Sequence, residues 1–261
     1  MSKGRLSFIG LGLYDEKDIS LKGIEEIKNC DIVFAEFYTA ILTGTNLKNI
    51  EKTIGKKIEV LSREETEKGK KILKFAKTKY IVFLTAGDPM SATTHVDLRL
   101  NALKLGITTK IIHGSSIFTA VPGLLGLQNY KFGRTTTLAY PEKDYFPTSP
   151  YSVIDNNKKL GLHTLVLLDI QAEKKRFMTA NEAMKLLLEM EEKIKGNIFK
   201  QDSIICIVAR AGSDEPIIAA GKIKDMIVKD FGPPLHTIVV PGNLHFMEFE
   251  ALKILAQLPA Q

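Results

Sequence analysis

YIVFLTAGDP, residues 80–89, decides how this chain is read. An apolar, β-favouring run leads into Gly87-Asp88-Pro89, which puts one acidic side chain where the strands of an α/β sheet open onto their ligand. FIGLGLYD, residues 8–15, is a second glycine-rich strand end, and the two together predict a cleft for a small organic cofactor. Asp-Pro also starts ordinary turns, so Asp88 alone is equally a turn residue. The flanking residues favour the ligand reading. Ser91, Thr93 and Thr94 follow directly and Ser115-Ser116 stands at the next strand end, small polar groups where a ligand can approach the backbone closely.

Outward from this strand the apolar pattern alternates between strand and helix. LSFIGLGL, ISLKGIEEIKNC and DIVFAEF make a βαβ opening within the first 37 residues. NLKNIEKTIG is a short helix, KIEVLS a strand, and a single Lys/Glu-rich helix runs on to Lys79. A helix after the GDP strand ends near Gly106, KIIHG is the next strand, and SSIFTAVPGLLGL is a helix cut short by Pro122-Gly123. TTTLAY is a strand. Pro141, Pro147 and Pro150 then break every period, which places a domain boundary there: residues 1–145 as an N-terminal α/β domain and 146–261 as a C-terminal one. In the second half the clearest helix spans 179–195, with Thr179 and Glu182 forming a capping box and Gly196 after the last turn. Ala183, Met184, Leu187, Leu188, Met190 and Ile194 form its core face. The rest is strand-rich until a final helix from Leu244 to Leu258.

Composition narrows the function classes. The apolar share of 44% and charged share of 25% are those of a globular protein, and no apolar run approaches the roughly 20 residues of a membrane span. MSKGRLSFIG lacks the apolar core of a signal peptide, so a cytoplasmic protein is expected. Cys30 and Cys206 read as two reduced, buried thiols. The net charge of +6 is carried by lysine-rich faces such as KGKKILKFAKTK, residues 68–79. With no arginine-rich arm and no aromatic-interleaved motif, direct nucleic-acid recognition is not expected, and a non-catalytic RNA- or ribosome-binding module is the alternative in another class.

The motifs also constrain the chemistry. Gly10 and Gly12 lack the third glycine of a dinucleotide fingerprint, since position 15 is Asp, and the first helix cap waits until Asp18-Ile19-Ser20. His95, His113, His163, His236 and His245 show no metal-ligand spacing, and His245 with Glu248 reads as a surface contact; no metal is expected. No serine elbow or cysteine–histidine pair is present. Chemistry that asks little of protein acids and bases fits best, and methyl transfer from a sulfonium donor is such a reaction: the protein aligns a lone pair and excludes water.

GLGLYDEKDIS (10–20), AEFYTA (35–40), LSRE (61–64), GDPMSATTH (87–95), YKFG (130–133) and YPEKDYFPTS (140–149) occur in this order, followed by HTLVLLDI (163–170), MTANEAMKLLL (178–188), ARAGS (209–213) and PPLHTIVVPGNLH (233–245). Together they resemble the diphthine synthase family, in the tetrapyrrole-methylase-like class of S-adenosylmethionine-dependent methyltransferases. The resemblance implies two α/β domains with the cofactor in the cleft between them, and a homodimer. It implies cofactor contacts from Leu13, Asp88, Ser91, Ser116 and Ile117 in the first domain and from Leu168, Ala211 and His236 in the second, several through backbone groups. Ser91 stands where an aliphatic residue is common. The implied reaction is N-methylation of the modified histidine, 2-(3-amino-3-carboxypropyl)histidine, of translation elongation factor 2, releasing S-adenosylhomocysteine. The short connection between LLDIQAEKK and RFMTANEA resembles the archaeal form and implies three successive methylations ending at diphthine. A tetrapyrrole (precorrin-type) methyltransferase is the alternative within the class, and no catalytic residue is assigned.

Overall fold

A computed structural model describes residues 4–143 and 145–259; Asp144 of the YPEKDYFPTS segment and the first three residues of MSKGRLSFIG lie outside the described residues. Contacts divide the chain into two compact units, residues 1–117 with 172–175 and residues 118–171 with 176–261.

The first unit alternates strand and helix as its sequence period dictates: β1 (Arg5–Gly10), α1 (Leu21–Lys28), β2 (Ile32–Glu36), α2 (Leu47–Ile54), β3 (Ile58–Val60), α3 (Arg63–Lys68), α4 (Lys70–Ala76), β4 (Tyr80–Thr85), α5 (His95–Lys104) and β5 (Thr108–Ile112). Every strand pairing is parallel, in the order β3-β2-β4-β1-β5. Successive strand residues face opposite sides. Leu6, Phe8, Phe34, Ile81 and Phe83 enter one apolar cluster, and Ile9, Val33, Ala35, Val82 and Leu84 enter another. Burial on both faces is what continuous apolar strands such as YIVFLT require, and each wholly buried phenylalanine contributes roughly 2–3 kcal/mol. The Lys/Glu-rich helix expected as one piece is two, because Gly69 adopts a left-handed φ of 62° between α3 and α4.

The second unit takes in most of α6 (Ile117–Leu125), then β6 (Thr136–Leu138), α7 (Ser149–Lys159), β7 (Thr164–Leu168), the short pair β8 (Ile170–Gln171) and β9 (Arg176–Phe177), α8 (Ala180–Ile194), β10 (Ile204–Ala209), β11 (Ile217–Lys222), α9 (Ile223–Met226), β12 (His236–Val240) and α10 (Phe246–Leu255). Its main sheet, β11-β10-β12-β7-β6, is antiparallel except for the β6–β7 pair. That pair explains why the division falls earlier than residue 145. Thr136–Leu138 is hydrogen-bonded to Val166–Leu168, so it is committed to the second sheet, and the prolines punctuate a connection inside this unit.

Pro122 does not cut α6 short, because the helix runs through it to Leu125. The Thr179–Glu182 capping box starts α8 as expected, and Ala183, Met184, Leu187 and Met190 fill the core. Leu188 is only partly buried and Ile194 is exposed, since an apolar stripe drifts off the core by the last turn of a straight helix. Cys30 and Cys206 are both free and buried.

Candidate functional site

In the first unit the chain leaves β1 toward β2 on one side and leaves β4 toward β5 on the other, and β1 and β4 are neighbours. Connections that depart in opposite directions open a crevice beyond the carboxyl ends of the two strands, the place where open α/β sheets hold ligands. GLGL and GDP occupy this switch point. The two loops remain joined past the strands, with Leu11 N donating to Thr85 O at 2.9 Å and Gly87 N to Gly12 O at 2.6 Å. Glycine is required by proximity. A Cβ on Gly10 would stand 2.4 Å from the Gly87 carbonyl oxygen and 2.6 Å from Gly114 N, and one on Gly114 would stand 2.5 Å from the same oxygen. The ends of β1, β4 and β5 therefore meet backbone to backbone.

Asp88 is buried at the centre of this meeting point. Its Oδ1 accepts from Met90 N at 2.9 Å and from Ser91 Oγ at 3.3 Å, so it is a turn residue in part, as Asp-Pro suggested. Its Oδ2 lies 2.7 Å from His113 Nδ1. His113 is exposed, and it was not singled out from sequence; its place immediately before Gly114 at a strand end was the available signal. Leu13 N donates to Asp18 Oδ2 at 3.0 Å, which fixes the end of the GLGL loop, and Leu13 is half-buried there. Ser91 belongs to the Asp88 turn, while Ser116 and Ile117 lead into α6. All five residues expected from the first domain thus follow the ends of β1, β4 and β5, three adjacent strands.

The second set is gathered by register. β12 runs antiparallel between β10 and β7, pairing His236 with Ala209 and Ile238 with Val166. Continuing that register places Leu168 across from His236, with Arg210 and Ala211 just beyond β10 on the same edge. The His236 imidazole is not an available ligand. Its Nδ1 accepts from Ala180 N at 3.1 Å and its Nε2 donates to Gly232 O at 3.1 Å, and burial keeps it below the ordinary histidine pKa, hence neutral. Any contact by His236 with a bound molecule is through its backbone. Ala211 and Leu168 offer backbone groups too, the first beside Arg210 with its left-handed φ of 52°.

Two buried His–Glu pairs lie outside these expectations. In the second unit Glu248 is wholly buried, not at the surface as its pairing with His245 suggested. It closes the capping box of α10 by accepting from His245 N at 2.8 Å, and it also accepts from Gln128 N, Lys131 Nζ and, at 3.0 Å, His163 Nε2. Burial alone would raise its pKa, but these donors outweigh burial and hold the carboxyl down at about 2. In the first unit Glu36, at the end of β2, accepts from Tyr38 N at 3.0 Å and Thr39 N at 3.1 Å, and His95 Nε2 lies 3.7 Å from its Oε1. Among the described residues no cluster of three or more His, Cys, Asp or Glu side chains is placed to hold a metal, and no helix is long and apolar enough to cross a membrane.

Comparison with known proteins follows the same lines. Residues 5–227 match the family of tetrapyrrole (corrin/porphyrin) methylases. The chain is 55% identical to a diphthine synthase of Methanococcus maripaludis over 96% of its own length and 98% of the relative's. It is likewise 55% identical to a diphthine synthase of Methanocaldococcus jannaschii over 97% and 99%. A crystal structure of diphthine synthase superposes with a TM-score of 0.89 at 39% identity, covering 97% of this chain and 96% of that one.

Proposed function

This chain belongs to the tetrapyrrole methylase family, among its diphthine synthases, and is a methyltransferase of diphthamide biosynthesis that uses S-adenosylmethionine; we propose that it methylates the amino group of the modified histidine of translation elongation factor 2. In this reading three successive transfers give diphthine, S-adenosylhomocysteine leaves each time, and the enzyme works in the cytoplasm as a homodimer.

The choice of acceptor is carried by the 55% identity to diphthine synthases over nearly the whole chain, and cofactor binding is supported by Asp88 at the switch point between β1 and β4, beside a junction of three glycines. The donor set suits the cofactor. A carboxylate partners sugar hydroxyls, while bare backbone at Gly12, Gly87 and Ala211 and small side chains at Ser91 and Ser116 accept a flat base and an amino-acid tail at close range. Leu13, Asp88, Ser91, Ser116 and Ile117 are proposed to bind it from the first unit, and Leu168, Ala211 and His236 from the second. When bound, the cofactor supplies a methyl group on a positively charged sulfur that is already a good leaving group. The residues of this chain then have three tasks: to fix the donor, to aim the amine and to exclude water. An amine attacks only in its neutral form, so a proton departs before each transfer, to solvent or to a nearby carboxylate.

The test is a transfer assay with labelled S-adenosylmethionine in which elongation factor 2 bearing the modified histidine competes with a porphyrinoid acceptor. Label on the elongation factor supports the proposal, and label on the porphyrinoid alone refutes it. Asp88→Ala, removing one charge-assisted contact, should weaken cofactor binding by about tenfold or more while leaving the fold intact, measured by calorimetry. Unchanged affinity would reduce Asp88 to its turn.

A further inference from the structure

His95 ends the GDPMSATTH segment and begins α5, with only 1% of its surface exposed. Its imidazole packs edge-on against Phe83, ring centroids 5.0 Å apart and planes at 90°. Nδ1 lies 3.0 Å from the carbonyl oxygen of Pro89, which can only accept, so Nδ1 carries the proton. The same oxygen also receives the Thr93 hydroxyl at 3.2 Å. Between these anchors Ala92 holds a left-handed φ of 55°, a conformation that a non-glycine residue keeps only when its surroundings impose it. The turn that carries Asp88 and Ser91 is thus held, through Pro89, by a buried side chain.

On its other side the imidazole faces a polar cluster. Nε2 has no hydrogen-bond partner among the described residues, and neither has the buried hydroxyl of Thr85, while the buried hydroxyls of Tyr38 and Thr66 pair with each other. Glu36 is wholly buried beside them, and its register neighbour is Thr85. A pocket of about 120 Å3, lined in part by Thr66, Thr94 and His95, adjoins the group and has room for ordered water. Burial lowers the His95 pKa, with Glu36 opposing, so the ring is neutral and Nε2 presents a lone pair. Glu36 itself is fixed to the loop after β2 by the Tyr38 and Thr39 amides and the Thr39 hydroxyl.

We infer that His95 is a positioning residue for cofactor binding: packed against Phe83, its ring directs Nδ1–H at the Pro89 carbonyl and so sets the Asp88–Ser91 turn. The inference rests on the proposed function, in which that turn grips the cofactor. It adds a residue that acts without touching cofactor or substrate.

The amide nitrogen of asparagine reaches the place of Nδ1, and that of glutamine the place of Nε2. His95→Asn therefore keeps the tie to Pro89, and His95→Gln loses it. S-adenosylhomocysteine binding by calorimetry should be within about threefold of the parent for His95→Asn and about tenfold weaker for His95→Gln, as one hydrogen bond is worth. KM for S-adenosylmethionine should rise in the same ratio, with kcat within about twofold of the parent in both variants. Any other ranking, including equal affinities, overturns the inference, because a purely structural histidine would not separate the two amides. Should His95→Gln fail to fold, His95→Asn decides alone, and a tenfold loss in it is contradictory. Failure of the proposed function is told apart in the parent: a parent that binds no S-adenosylhomocysteine refutes that reading, whereas a parent that binds while both variants match it refutes only the role of His95.

Discussion

Each unit of this chain buries one histidine against one glutamate, and the two pairs are built to different standards. In the second unit His163 accepts at Nδ1 from Gly242 N at 3.0 Å and donates at Nε2 to Glu248, whose oxygens also serve Lys131 and two backbone amides. Every polar atom there is occupied, as a network that only joins α10 to the strands requires. In the first unit the ring meets Glu36 at 3.7 Å, beyond a hydrogen bond, and neither its Nε2 nor the Thr85 hydroxyl has a partner among the described residues. A buried polar group left incomplete lowers stability, so its presence beside the turn proposed to bind the cofactor fits a positioning role better than one of holding the fold. The difference teaches how to separate structural charge from functional charge when both are equally buried.

The largest effect should come from taking apart the complete pair. Glu248→Ala strands the His163 N–H, the Lys131 ammonium and two amides, and should cost about 3–5 kcal/mol in denaturant unfolding. A loss below about 1 kcal/mol would break the comparison, since the second pair would then hold nothing together. Acid should follow next. His163 and Glu248 both have folded pKa values below their ordinary 6.5 and 4.5, so the unfolded chain binds more protons and stability falls as pH falls. The histidine contribution fades below about pH 6.5. The carboxylate contribution, about 3 kcal/mol, is complete above pH 4.5 and is lost by about pH 2. Denaturant midpoints measured against pH should show this slope in the parent and a flatter one below pH 4.5 in Glu248→Gln; equal slopes would place the acid sensitivity elsewhere.

The smallest effects sharpen the contrast. Thr164 is buried and its hydroxyl accepts from Asn157 Nδ2 at 2.9 Å, so Thr164→Val should cost about 1–2 kcal/mol. Thr85 is equally buried, and Thr85→Val should be neutral or slightly stabilising, because valine replaces a hydroxyl with no partner among the described residues. Thermal unfolding of the two variants side by side decides. Equal losses would mean that the first cluster is as completely bonded as the second.

What could be read in the sequence was whatever local chemistry determines. The continuous apolar runs in LSFIGL and YIVFLT marked strands, which the structure buries on both faces, and the Thr179–Glu182 box fixed where α8 begins. Glycine pairs at 10 and 12 and the GDP turn marked the ends of neighbouring strands, because only glycine lets three backbones meet there. What was missed depends on contacts between distant residues. Thr136–Leu138 looks like any short strand, and only its pairing with β7 assigns it to the second unit. Glu248 directly follows the exposed Phe246 and Met247 in the first turn of α10, and nothing local says that Gln128, Lys131 and His163 converge on it. His95 and Glu36 stood in plain view in GDPMSATTH and AEFYTA, 59 residues apart in sequence, and the register of β2 with β4 was needed to bring them together. His113 reached Asp88 by the same kind of return, across β5.

The proposed activity is tested most directly by the intact mass of elongation factor 2 carrying the modified histidine, after incubation with this protein and excess S-adenosylmethionine. The account predicts a mass gain of three methyl groups confined to the peptide that holds that histidine, and no gain when the histidine is unmodified. A substrate that keeps its mass while the protein demonstrably binds the cofactor would contradict it.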